Sequence, residues 1–147
     1  MNILVSGCLL GLSCRYDGER KVYPELNNIP EKINLIPVCP EQLGGLSTPR
    51  PKSEKKGDKV YNIKGEDVTE NFERGAKEAL YLAEKFNCEI AFLKEKSPSC
   101  GKGEIYSGDF SGTLIKGDGV LGKLLSEKGI RVIGESGIED FLKELKK

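Results

Sequence analysis

The chain has 147 residues, 31% charged and 37% hydrophobic, enough for one domain with its own core and too balanced for wholesale disorder. The 23 Lys and Arg offset 23 Asp and Glu, so no global basic field favours bulk nucleic-acid binding. There is no His, which removes Ser-His and Cys-His nucleophile pairs and every imidazole metal site.

Residues 2–6, NILVS, read as a short buried strand ending in Ser6-Gly7-Cys8. The segment MNILVSGCLLG has the apolar look of a signal core but lacks a basic leader, and no apolar run nears the roughly 20 residues of a membrane helix. A cytoplasmic location is the expectation. Asn34–Val38 is a second strand candidate, weakened by Pro37, which cannot donate to a ladder; it runs into Cys39-Pro40-Glu41. The charge run Lys52–Lys56 reads as a solvated loop. Lys59–Ile63 alternates like an exposed hairpin strand between the turns Gly57-Asp58 and Lys64-Gly65. Thr69 then caps a helix over Glu70–Phe86, whose Phe72, Ala76, Ala79, Leu80, Leu82, Ala83 and Phe86 give an apolar face. Cys88–Leu93 is a third strand candidate, followed by the loop KEKSPSCGKG. A helix over Val120–Lys128 closes at Gly129, a strand follows at Ile130–Ile133, and a last helix covers Ile138–Lys146.

Short buried strands alternating with helices predict an α/β fold: a three-layer, Rossmann-like arrangement with a mostly parallel sheet. Such sheets bind ligands at the carboxyl ends of their strands. Cys8, Cys39 and Cys100 each follow a predicted strand, so three cysteines scattered in sequence are expected to converge there. Cys88 begins a strand and is expected in the core. Cys14 is either a fourth ligand or a structural thiol. No CxxC pair occurs, which argues against a zinc ribbon or a thioredoxin-type motif. The plainest alternative is that the five cysteines are small buried hydrophobes.

Three thiolates without His suit a soft metal centre. Zinc would complete its shell with a fourth ligand or a water; a cubane iron–sulfur cluster on three thiolates would leave one iron open. Glu41, two residues past Cys39, is a candidate general base, or else a first-turn Glu favoured by the helix dipole. Ser97 and Ser99 flank Pro98 just before Cys100, as a proton donor or as turn formers. Arg50, stiffened between two prolines, and Arg15 are candidate anion clamps or surface salt bridges. The amides from Gly7 to Gly11 could also cradle an anion.

The stretches VSGCLLGLSCRYDG (Val5–Gly18), VCPEQLGGLSTPRP (Val38–Pro51) and LKEKSPSCG (Leu93–Gly101) resemble the TudS family of thiouracil and 4-thiouridine desulfidases. The resemblance covers nearly the whole chain and implies one desulfidase domain over residues 1–147. It implies a [4Fe-4S] cluster held by Cys8, Cys39 and Cys100, with the fourth iron free to bind a thione sulfur. It implies a non-redox hydrolysis of C=S to C=O, with Glu41 as catalytic carboxylate and Ser97 as catalytic serine. The expected substrate is 4-thiouridine 5′-monophosphate, converted to UMP and hydrogen sulfide in nucleotide salvage. Arg50, Arg15, Gly11 and Ser99 are the expected substrate contacts. No stable nucleic-acid complex is expected, and a monomer is the default. The first motif departs in reading Gly7 where many members carry Ala. Rival readings are a zinc-thiolate hydrolase and a module that carries cluster or sulfide without turnover.

Overall fold

The computed structural model describes residues 1–146. In chain order the elements are β1 (Asn2–Ser6), β2 (Asn34–Val38), α1 (Pro40–Leu43), β3 (Ser53–Lys56), β4 (Lys59–Asn62), α2 (Thr69–Lys85), β5 (Ile90–Leu93), β6 (Glu104–Tyr106), β7 (Leu114–Lys116), α3 (Val120–Glu127), β8 (Arg131–Gly134) and α4 (Ile138–Leu145). The central sheet has the order β2-β1-β5-β8, and every pairing in it is parallel. Two antiparallel hairpins, β3–β4 and β6–β7, stand outside it. Among the described residues no helix is long and apolar enough to cross a membrane.

The sheet is parallel because its inner strands are apolar on both faces, which requires cover on both sides. Ile3, Leu4 and Val5 are fully buried. Leu4 packs with Ala76, Ala79 and Ala83 of α2 and Leu121 and Leu125 of α3. Ile3 and Val5 face the opposite layer, with Phe92, Ile138 and Phe141. The result is the expected three-layer α/β arrangement. Pro37 is tolerated because β2 is an edge strand. α3 ends as expected, with Gly129 at φ +79° and a Schellman pair, Ile130 N–H to Leu125 O at 3.0 Å and Gly129 N–H to Ser126 O at 3.1 Å.

Four sequence expectations are corrected. Lys52–Lys56 is not a solvated loop, since Ser53–Lys56 pairs with β4 and buries Glu54. Thr69 is the first helical residue rather than the cap; its N–H goes to Asp67 Oδ1 at 2.9 Å, and its Oγ1 accepts Val60 N–H at 2.9 Å. Cys88 lies just ahead of β5 rather than in it, although it is buried as expected. Phe86, expected on the apolar face, lies just past the end of α2 and is exposed. The β6–β7 hairpin, its strands only three residues each, had no sequence expectation at all.

Candidate active site

The carboxyl ends of β1, β2 and β5 open into a cavity of about 470 Å³. Its wall includes Cys8, Cys14, Cys39 and Cys100, together with Glu41, Ser97, Ser99, Arg15 and Arg50. Cys8 sits in the 3₁₀ turn Gly7–Leu10 that leaves β1. A Cβ at Gly7 would lie 2.9 Å from Leu12 Cδ1, the tip of an exposed side chain that can swing aside, and 3.4 Å from Cys14 Sγ, so an alanine is tolerable there. Cys39 follows β2 as the N-cap residue of α1, and its thiol reaches Cys14 O at 3.6 Å. Cys100 is buried, 3.7 Å from Ser99 Oγ. Among the described residues, no three His, Cys, Asp or Glu side chains are grouped to hold a single metal ion.

Three of these thiols are held protonated at neutral pH. Hydrogen bonding to Cys14 and then burial push the Cys39 thiol far up. At Cys14 the contact with Cys39 pulls down, but the contact with Cys8 and burial prevail and the net shift is upward. Burial pushes Cys100 up to about 12 against hydrogen bonds from Ser6 and Ser99. Such thiols are poor nucleophiles, and a bound metal would have to displace their protons.

The loop carrying Cys100 is locked by α3. The helix has no side-chain cap; Val120 N–H bonds Pro98 O at 2.9 Å, Leu121 N–H bonds Ser99 O at 2.7 Å, and just ahead of it Gly119 N–H bonds Gly101 O at 2.8 Å. A Cβ at Gly119 or Gly122 would run into the backbone of Ser99 or Gly101. α1 is docked in the same way. A Cβ at Gly75 of α2 would collide with Pro40 O, and one at Gly44 with Asn71 O. This backbone-to-backbone approach sets the first turn of α1, from which Glu41 projects.

Glu41 is therefore both a first-turn helix residue and a cavity residue. Its Oε1 accepts Arg50 Nε at 3.0 Å and its Oε2 accepts Ser99 Oγ at 2.9 Å. Ser99 Oγ lies 3.0 Å from Ser97 Oγ. Ser97 Oγ accepts the N–H groups of Ser99 and Cys100, each at 3.1 Å. Ser99, a turn former by sequence, is thus the bridge between Glu41 and Ser97.

Arg50 faces inward. Besides Glu41, it donates to Cys14 O at 2.8 Å, Thr48 Oγ1 at 2.9 Å and Ser47 O at 3.2 Å. Its fork is engaged by the protein, not held free for a substrate anion. Arg15 pairs with Asp17 at 3.3 Å. Gly11 is not on the cavity wall; its N–H closes a turn onto Cys8 O at 3.2 Å and its carbonyl takes Arg20 Nε at 2.6 Å.

Sequence reasoning missed several wall residues. Lys94, one residue past β5, pairs with Glu135 at 2.7 Å; burial lowers its pKa, but Glu135 outweighs this and the net shift is upward. Lys21, Lys52 and Lys96 line the cavity with no ion-pair partner among the described residues. Lys96 holds φ +66°, a conformation unusual for a residue with a Cβ. Tyr16 and Tyr106 add half-exposed aromatic rings. The only sequence signal for these was their position within or beside the motif stretches.

A family model described as 2-thiouracil desulfurase matches residues 3–137. An uncharacterized Bacillus subtilis protein, YbbK, is 42% identical over 95% of this chain and 99% of its own length. The solved structure of a [4Fe-4S]-dependent thiouracil desulfidase, TudS, matches with a TM-score of 0.87 and 39% identity, covering 99% of this chain and 97% of that one.

Proposed function

The chain belongs to the 2-thiouracil desulfurase family, and on that premise we propose that it is an iron–sulfur-dependent desulfidase converting the C=S group of a thiolated pyrimidine to C=O by hydrolysis. The observation that carries this reading is the meeting of buried thiols with the Glu41–Ser99–Ser97 chain on one cavity wall. The donor set fits a cluster. Cys8, Cys39 and Cys100 come from three strand ends and would hold three irons of a cubane, which does not need its thiolates gathered around one point as a single zinc does. Cys14, with its carbonyl fixed by Arg50 and its thiol among the others, is read as a structural thiol. When bound, such a cluster supplies an iron without a protein ligand, a Lewis acid with affinity for sulfur over oxygen.

The chain's own residues do the rest. Glu41, oriented at both oxygens, takes a proton from the attacking water. Ser97 delivers a proton to the departing sulfur. The cavity volume suits a nucleotide, and the unpaired Lys21, Lys52 and Lys96 supply cationic charge for a phosphate. Both favour a thionucleotide over a free base; the reading of it as 4-thiouridine 5′-monophosphate, with UMP and sulfide as products, rests on the motif resemblance. Residues 1–147 act as one desulfidase domain in this reading.

The test is the iron and acid-labile sulfide content of anaerobically prepared protein, followed by the decay of thione absorbance. About four of each per chain, with faster decay for the 4-thio nucleotide than for its nucleoside, base or 2-thio isomer, is the expected result. Protein that takes up no iron on anaerobic reconstitution overturns the proposal. A loaded protein that binds sulfide but turns over no thione is a carrier instead.

A further inference from the structure

We propose that Ser99 is a proton relay between Glu41 and Ser97, and that the three-residue chain reverses its direction within each turnover. The inference rests on the functional reading above and goes beyond it by coupling its two proton transfers.

Counting hydrogens fixes the resting direction. A carboxylate only accepts, and a serine has one hydroxyl hydrogen. Ser99 has two acceptors in reach, Glu41 Oε2 at 2.9 Å and Cys100 Sγ at 3.7 Å; the nearer, charged carboxylate takes its hydrogen, and at 3.0 Å its own oxygen accepts from Ser97. Ser97 Oγ also accepts the Ser99 and Cys100 amides at 3.1 Å. Its single hydrogen is thus turned toward Ser99, and at rest Ser97 has none to offer a substrate. Ser99 is 2% exposed, so bulk water offers no bypass at the middle of the chain.

Removal of a proton from the attacking water changes this. The new C–O bond forms, and Glu41 becomes a carboxylic acid whose Oε2 can donate. Ser99 then accepts from Glu41 and donates to Ser97, and the Ser97 hydrogen swings to the cavity. As the C–S bond breaks, the electron pair leaves with sulfur, which takes the Ser97 proton. Ser97 is refilled from Ser99, and Ser99 from Glu41. The second water proton, lost as the carbonyl forms, returns to solvent through Glu41. Overall, thione plus water gives carbonyl, hydrosulfide and one proton, with no electron transferred. The two amides on Ser97 compete with the reversed chain and restore the resting direction once Glu41 is ionised again.

Ser99 acts through its neighbours, so it is a positioning residue and needs readouts that a packing role would not move. In cluster-loaded protein, Ser99→Ala should lower kcat about 100-fold, the usual scale of a lost proton-transfer group, with KM and iron content unchanged. Ser99→Thr, which keeps the hydroxyl, should recover most of the rate. The wild-type solvent deuterium effect should curve with deuterium fraction, as several protons in flight require, and become linear in Ser99→Ala. In the metal-free chain, the Glu41 carboxyl ¹³C resonance should shift in Ser99→Ala, reporting the lost hydrogen bond without any turnover. Wild-type turnover with an unchanged Ser99→Ala rate per loaded cluster overturns the relay alone. Wild-type loaded protein that desulfurates no thione overturns the functional reading and the relay with it.

Discussion

Arg50 Nε lies 3.0 Å from Glu41 Oε1, with only 5% and 14% of the two side chains exposed. The same guanidinium holds Cys14 O at 2.8 Å, so one cation ties the carboxylate to the loop that carries the fourth thiol. Removing one partner of a nearly buried pair strands the other. Arg50→Met should lower stability by about 3 kcal/mol in urea melts. Arg50→Lys should recover little, because a single ammonium cannot reach the four acceptors that the fork serves. A melt unchanged by Arg50→Met would show that the pair contributes nothing.

Glu41→Gln keeps the shape of the side chain and removes its basicity. Iron content and KM should stay near wild type while kcat falls by at least about 100-fold. Anaerobic kinetics on the loaded variant provide the check, and full turnover would remove Glu41 from the role of base.

The close approach of α1 and α2 yields a structural prediction. Gly75→Ala forces a methyl against Pro40 O, a backbone atom that cannot swing aside. The expected loss is about 2 kcal/mol of stability. Because α1 must move, activity at temperatures where the variant is still folded should fall as well. A crystal structure of the variant with Glu41 unmoved would count against the second part.

The rim lysines should separate substrates. Alanine at Lys21, Lys52 or Lys96 is expected to raise KM for a thionucleotide about tenfold each, the scale of one lost charge-assisted contact. KM for the corresponding free thiobase should not move. Equal effects on both would mean that the lysines act on the protein and not on a phosphate.

Asp118 gives an acid-stability signature. Burial opposes its charge, but the Gly103 amide at 2.7 Å and Lys102 Nζ at 3.1 Å outweigh this and hold its carboxyl below the usual aspartate range. A carboxyl with a depressed folded pKa stabilises the fold above the unfolded value and loses that contribution as pH falls through the folded one. Asp118→Asn should therefore weaken the protein at neutral pH and flatten the decline of the urea midpoint below about pH 4. An identical pH profile in both proteins would contradict this.

Much of the architecture was legible because it depends on burial. The sheet strands announce themselves as apolar runs, and each of Cys8, Cys39 and Cys100 follows one. β3 was not legible, since its charge run reads like a solvated loop and only pairing to β4 shows that Glu54 points inward, toward the amides of Gly108 and Phe110, each at 3.0 Å. Thr69 looked like a cap because hydroxyl side chains often are; tertiary contact with Val60 drew it into the helix, and Asp67 took its place as acceptor. Motif and position pointed to Glu41 and Ser97, which both line the cavity, whereas the inward turn of Arg50 and the bridging place of Ser99 depend on side-chain direction, which sequence spacing does not carry. Gly11 leaves the cavity for a backbone reason, its amide closing a turn onto Cys8 O and its carbonyl taking Arg20 Nε.

The carbonyls of Pro98 and Ser99 terminate α3 in place of a side-chain cap. The helix and the Ser97–Gly101 loop therefore open together or not at all, as one cooperative unit in native-state fluctuations. Amide exchange at Val120 and Leu121, both remote in sequence from Cys100, becomes a direct gauge of how firmly that loop is held. Anything that rigidifies the loop, a bound cluster included, should slow exchange across the first turn of α3 while leaving α4, on the far face of the sheet, at its own pace.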